Sequence, residues 1–113
     1  MKILVIDNNL NRHPFHYDLI INEFPDTSIQ IEEHIENKEL ENSDFDAIIV
    51  HRNNPENDII ERNSEIGKVR IIFSGGLTEY QHFGNNYYVP YKQLGYKVGP
   101  IIKDYLQKAE KEN

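Results

Sequence analysis

Cysteine is absent from these 113 residues, which excludes a disulfide framework, a thiolate zinc site and a cysteine nucleophile and makes the cytoplasm the expected compartment. Long apolar runs are missing too. Ile3-Leu4-Val5-Ile6 is too short for a signal-peptide core or a membrane span and meets Asp7 at once, so neither export nor a membrane anchor is expected. Basic residues are scarce: 12 Lys and Arg against 19 Asp and Glu leave a formal charge of -7, which repels nucleic-acid phosphates and anionic membrane surfaces. The acid-rich stretch from Glu32 to Glu41 reads as a solvated face. Gly-x-Gly-x-x-Gly and Gly-Lys-Ser/Thr are absent, so there is neither a dinucleotide fingerprint nor a P-loop, and no cofactor is expected. With no repeats, low-complexity tracts or linkers, residues 1–113 read as one domain.

What is present is an alternation of short apolar runs with amphipathic or polar stretches, the pattern of strands joined by crossover helices. Ile3 to Ile6, Ala47 to Val50 and, apart from Arg70, Val69 to Phe73 suit central strands covered on both faces. Tyr87-Tyr88-Val89 supplies a fifth strand. Ser28 to Ile35 alternates, with Ile29, Ile31, Glu33 and Ile35 on one side, as an edge strand does. The first helix is marked by Pro14 at its start, a stripe of Phe15, Leu19, Ile20 and Phe24, and Pro25 as its stop. Residues 37 to 43 and 56 to 66 leave room for two or three helical turns each, and Leu77 to Phe83 for one or two. A final helix follows Pro100 with the stripe Ile101, Ile102, Tyr105, Leu106 and Ala109, after an irregular approach through Gly95 and Gly99. The expected fold is α/β: a flavodoxin-like, doubly wound, five-stranded parallel sheet of strand order 2-1-3-4-5 with shortened middle helices. In such sheets ligands bind beyond the carboxyl ends of the strands. Those ends are Asp7-Asn8, His51-Arg52-Asn53, Ser74-Gly75-Gly76 and Pro90-Tyr91.

In the order of these signals the chain resembles the receiver (CheY-like) domain of two-component response regulators over nearly its full length. Lys2 to Asn8 is similar to the opening strand with its acidic pair, and Phe45 to His51 to the third strand that ends at the phosphoacceptor. Pro55 stands where the family often has proline. Val69 to Ser74 is similar to the fourth strand with its terminal hydroxyl, and Tyr88-Val89-Pro90 to the fifth, which in the family ends in Lys-Pro. The resemblance implies chemistry that needs a carboxylate nucleophile, further carboxylates for Mg²⁺, a hydroxyl and a lysine. This chain keeps Asp7 and Ser74, but Asn8 replaces the second acid, His51 the phosphoacceptor and Pro90 the lysine, with Lys92 two positions on as a candidate to reach back. The implied protein is a pseudo-receiver.

Several residues have both a chemical and a structural reading. Asp7 is a metal ligand or a cap for loop N–H groups. His51 is a phosphorylatable imidazole, a general base, a metal ligand or a hydrogen-bonded residue at the sheet rim. Asp7, His51 and Ser74 together imitate a hydrolytic triad, although Ser74 lacks the Gly-x-Ser-x-Gly turn that exposes such a nucleophile. His13 and His16, three apart, suit a zinc site with Asp7 and His51, or else face solvent or cap the helix. Ser74, Gly75 and Gly76 form an anion-binding turn or simply a tight one. Tyr80, Tyr87, Tyr88, Tyr91 and Tyr96 are core or contact surface, with Tyr87, Tyr88 and Tyr91 the candidate interface. The leading expectation is a stand-alone signalling or regulatory module. It would act on a protein partner or by self-association, without aspartyl phosphorylation, and pass its signal through contacts because the chain ends at Asn113 just after the last helix. The rival is a small flavodoxin-like enzyme or ligand-binding protein that uses Asp7, His51 and Ser74.

Overall fold

The computed structural model describes residues 1–112. Six strands form one sheet in the order β2-β1-β3-β4-β6-β5: β1 (Lys2–Ile6), β2 (Ser28–Glu32), β3 (Ala47–His51), β4 (Val69–Ser74), β5 (Gln81–Phe83) and β6 (Asn86–Pro90). All neighbours pair in parallel except β5, which runs antiparallel to β6. The helices are α1 (His13–Glu23), α2 (Asn37–Glu41), α3 (Glu56–Arg62) and α4 (Leu94–Glu112).

The apolar strands are buried on both faces because helices cover both. Odd-numbered residues of the central strands, among them Ile3, Val5, Ile49, Ile71 and Phe73, meet Ile20 of α1 and Leu94, Val98, Ile101 and Ile102 of α4. The alternate residues Leu4, Ile6, Ile48, Val50 and Ile72 meet Leu40 of α2 and Ile60 of α3. No helix among the described residues is long and apolar enough to cross a membrane.

Four expectations need correction. The sheet has six strands, not five, because Leu77 to Phe83 forms no helix. Instead it enters β5, which folds back on β6 through the two-residue loop Gly84-Asn85, with Gly84 at φ +58°. A two-residue hairpin loop demands a positive φ that glycine meets at low cost. Strand β2 stops at Glu32 instead of Ile35, so Ile35 turns into the α2–α3 core while Ile29 and Ile31 pack on the opposite one. Helix α4 begins at Leu94 and runs through Pro100. The proline leaves the Tyr96 carbonyl without its helical donor, on an outward turn where Tyr96 and Pro100 are exposed. Finally, α1 buries His16 with Ile20, while Phe15 remains 38% exposed.

Candidate functional site

Side chains alternate across a strand, so the residue that ends each strand chooses a face. Asp7 continues the side of Ile3 and Val5, and His51 that of Ala47 and Ile49, so both emerge under α1 beside Phe73. Ser74 lies one residue past Phe73 and emerges on the α2–α3 side. The structure therefore brings Asp7 and His51 to one rim and leaves Ser74 on the other.

Asp7 is fully buried, and four donors fill its two oxygens. Oδ1 accepts the Asn9 backbone N–H at 3.0 Å and Arg12 Nη2 at 2.7 Å; Oδ2 accepts Arg12 Nε at 2.7 Å and His16 Nε2 at 2.8 Å. The loop brings Arg12 back to Asp7. Asn9 caps the 3-10 turn Leu10–Arg12 by accepting the Asn11 N–H, and the Arg12 N–H bonds the Asn9 carbonyl. The Arg12 guanidinium also faces the rings of Phe73 at 5.7 Å and Tyr91 at 5.5 Å. Burial pushes the Asp7 carboxyl up, but the bonds from Arg12 and His16 outweigh it and hold the group well below the usual carboxylate range.

His13 and His16 are tied to the same residue. His13 Nε2 donates to the Asp7 carbonyl at 2.7 Å, and His16, expected to face solvent or cap the helix, is 1% exposed against the carboxylate. The His16 and His51 rings each lie 5.2 Å from Phe73, and each has a buried Nδ1 with no hydrogen-bond partner. Burial, and next the charge of Arg12, lower the His51 pKa, with Asp7 pulling the other way, so the site favours the neutral ring.

On the other rim the Ser74 hydroxyl accepts the Gly76 N–H at 3.0 Å, and no helix follows to add further N–H groups. Gly75, Leu77, Thr78, Pro90, Tyr91 and exposed Lys92 line a cavity of about 280 Å³ beside it. The candidate interface tyrosines do not share a surface. Tyr87 is 8% exposed in the α1–α4 core, Tyr88 packs on the α2–α3 side, and Tyr91 lies against Phe15, Phe73 and Arg12.

The residues do not fit a Mg²⁺ ion. Arg12 and His16 occupy both Asp7 oxygens, Asn8 is an exposed amide, and His51 stands where another carboxylate is needed. Among the described residues no three His, Asp or Glu side chains converge on a possible metal position.

Sequence reasoning missed Arg12, Asn54 and Glu56. Asn54 accepts the Asn8 N–H and donates to the Glu33 carbonyl, and buried Glu56 accepts the Ile35 N–H at 2.8 Å and a bond from His34. Together they tie the loops after β1, β2 and β3. The available signal for Arg12 was a cation five residues after an acid that closes a buried strand. No protein-family model, no curated protein and no solved structure matches this chain.

Proposed function

We propose that the chain is a receiver-like regulatory module that works through protein contacts and does not use aspartyl phosphorylation. The fork of Arg12 on Asp7 carries this reading. A carboxylate whose oxygens are filled by an internal guanidinium and imidazole offers a divalent cation nothing to bind, and an imidazole, His51, stands in place of the nucleophilic acid. Ser74 on the opposite rim argues against the hydrolytic rival, which needs the hydroxyl within reach of His51. With its strand-end chemistry closed, the module's means of signalling is its surface. There the uncharged hairpin β5–β6 and exposed Phe83 stand out.

Incubation with acetyl phosphate and Mg²⁺, followed by intact-mass measurement, tests the reading. The expected mass is unchanged. A single phosphate labile to hydroxylamine, as an acyl phosphate is, would overturn it; an acid-labile, base-stable adduct lost in His51→Ala would assign phosphorylation to the imidazole instead.

A further inference from the structure

The sheet has two edges, and they are guarded differently. At the β2 edge, Glu32 lies in the strand and Asp26 and Glu33 flank it. At the other, Gln81, His82 and Phe83 of β5 are all exposed and pair only with β6. No Asp, Glu, Lys or Arg occurs from Gln81 to Tyr91, eleven positions in a chain that is 27% charged. Natural edge strands are commonly protected by charge or proline; β5 is short but has neither. Phe83 is 62% exposed, with its ring edge-on to Tyr88 at 6.2 Å.

The hairpin sets which backbone groups are free. In an antiparallel pair doubly bonded residues alternate with unbonded ones, and a two-residue loop is closed by a bonded pair, here Phe83 and Asn86. His82, one residue back, therefore directs its N–H and C=O away from β6.

We infer that β5 pairs antiparallel with β5 of a second copy, about a two-fold axis at His82, joining two six-stranded sheets edge to edge. The inference rests on the contact-mediated reading above and names its partner. Charge fixes where two copies can meet: molecules of charge -7 repel over most of their surface, and the uncharged hairpin is where they approach at least cost. Geometry does too. The two-fold sets Gln81 of each copy opposite Phe83 of the other, and the two Phe83 rings become diagonal neighbours, about 7–8 Å apart at the backbone. Tyr88, which opposes Gln81 on β6, lies on the same sheet face, so an aromatic row Tyr88-Phe83-Phe83-Tyr88 crosses the junction. Three residues a side make a small interface, so association is weak, with a dissociation constant on the order of 100 μM.

Sedimentation equilibrium from about 1 μM to about 1 mM, spanning that constant, tests it. Wild type is expected to dimerise, and Phe83→Lys to weaken the dimer at least about tenfold, by the edge-lysine device of natural sheets. Tyr96→Lys is the charge-matched control: Tyr96 on α4 is also 62% exposed, and its loss is expected to leave the dimer intact. The His82 amide of wild type should also exchange more slowly with solvent as concentration rises, a readout specific to strand pairing. A wild type that stays monomeric throughout overturns the inference, and so does a dimer lost in Tyr96→Lys but kept in Phe83→Lys. Neither result bears on the phosphorylation test, which can fail while the dimer stands.

Discussion

Replacing Arg12 by Met keeps an unbranched, largely apolar stem and removes the guanidinium, which leaves a fully buried carboxylate to His16 and one backbone N–H. Breaking a buried ion pair from one side costs about 3–5 kcal/mol. Arg12 is itself 22% exposed, and the remaining donors still serve Asp7, so about 2–3 kcal/mol is the expected loss near neutral pH, including the lost cation–π contacts with Phe73 and Tyr91. With a urea slope of roughly 1.3 kcal/mol per M for a domain of this size, the unfolding midpoint falls by about 2 M. The pH dependence is diagnostic. The folded Asp7 pKa lies below the unfolded value, so its contribution is present above about pH 4 and is lost as pH falls toward the folded value. The gap between wild type and Arg12→Met is therefore full at pH 7 and narrows as the pH drops below about 4. Asp7→Asn in the Arg12→Met background should recover part of the loss, because it removes the uncompensated charge. A midpoint shift of the same size at pH 7 and pH 3, or one below about 0.5 M at pH 7, would refute the assignment of that stability to the ion pair.

The His51 ring should titrate below the ordinary histidine pKa of about 6.5 in an NMR series, and its midpoint should rise in Arg12→Met, since burial and the charge of Arg12 depress it; a midpoint at or above the ordinary value contradicts the site as described. Because that folded pKa is depressed, its protonation weakens the fold as pH falls from the ordinary value through the folded one. Gly67 and Gly84 both have positive φ, but a Cβ at Gly67 would lie 2.9 Å from Ile48 Cδ1, whereas one at Gly84 meets nothing within 4 Å. Gly84→Ala should cost about 1 kcal/mol and Gly67→Ala clearly more, and equal losses in thermal or urea unfolding would show that Ile48 yields freely.

The parallel core was legible because its runs are continuous. Ile3 to Ile6, Ala47 to Val50 and Val69 to Phe73 have few ways to be buried other than as central strands between two helical layers. The hairpin escaped because Gln81-His82-Phe83 has no apolar alternation and lies in a stretch, Leu77 to Phe83, with room for one or two helical turns, so that Gly84-Asn85 between two strand-compatible stretches is its one clear signal. At the site, Asp7 and His51 were found from their positions at strand ends, which is a local property. Arg12 was not, since its role depends on a 3-10 turn that aims it back at Asp7, and nothing in the periodicity encodes the turn. His16 was misplaced for a related reason: a histidine on the buried stripe of α1 is comfortable only because a carboxylate awaits it from another element.

The strand ends differ in phase, and this limits what can be built there. On β4 the position that pairs with His51 is 73, where the ring of Phe73 already lies against both His51 and His16. No change of side chain at position 74 helps, because that residue leaves on the wrong face. A one-residue slip of β4 would move Ser74 across, but it would also turn Val69, Ile71 and Phe73 out of the α1–α4 core and bring buried Arg70 into it. The molecule therefore stands one residue out of step with a serine-bearing site, and the packing of its best-buried strand keeps it there.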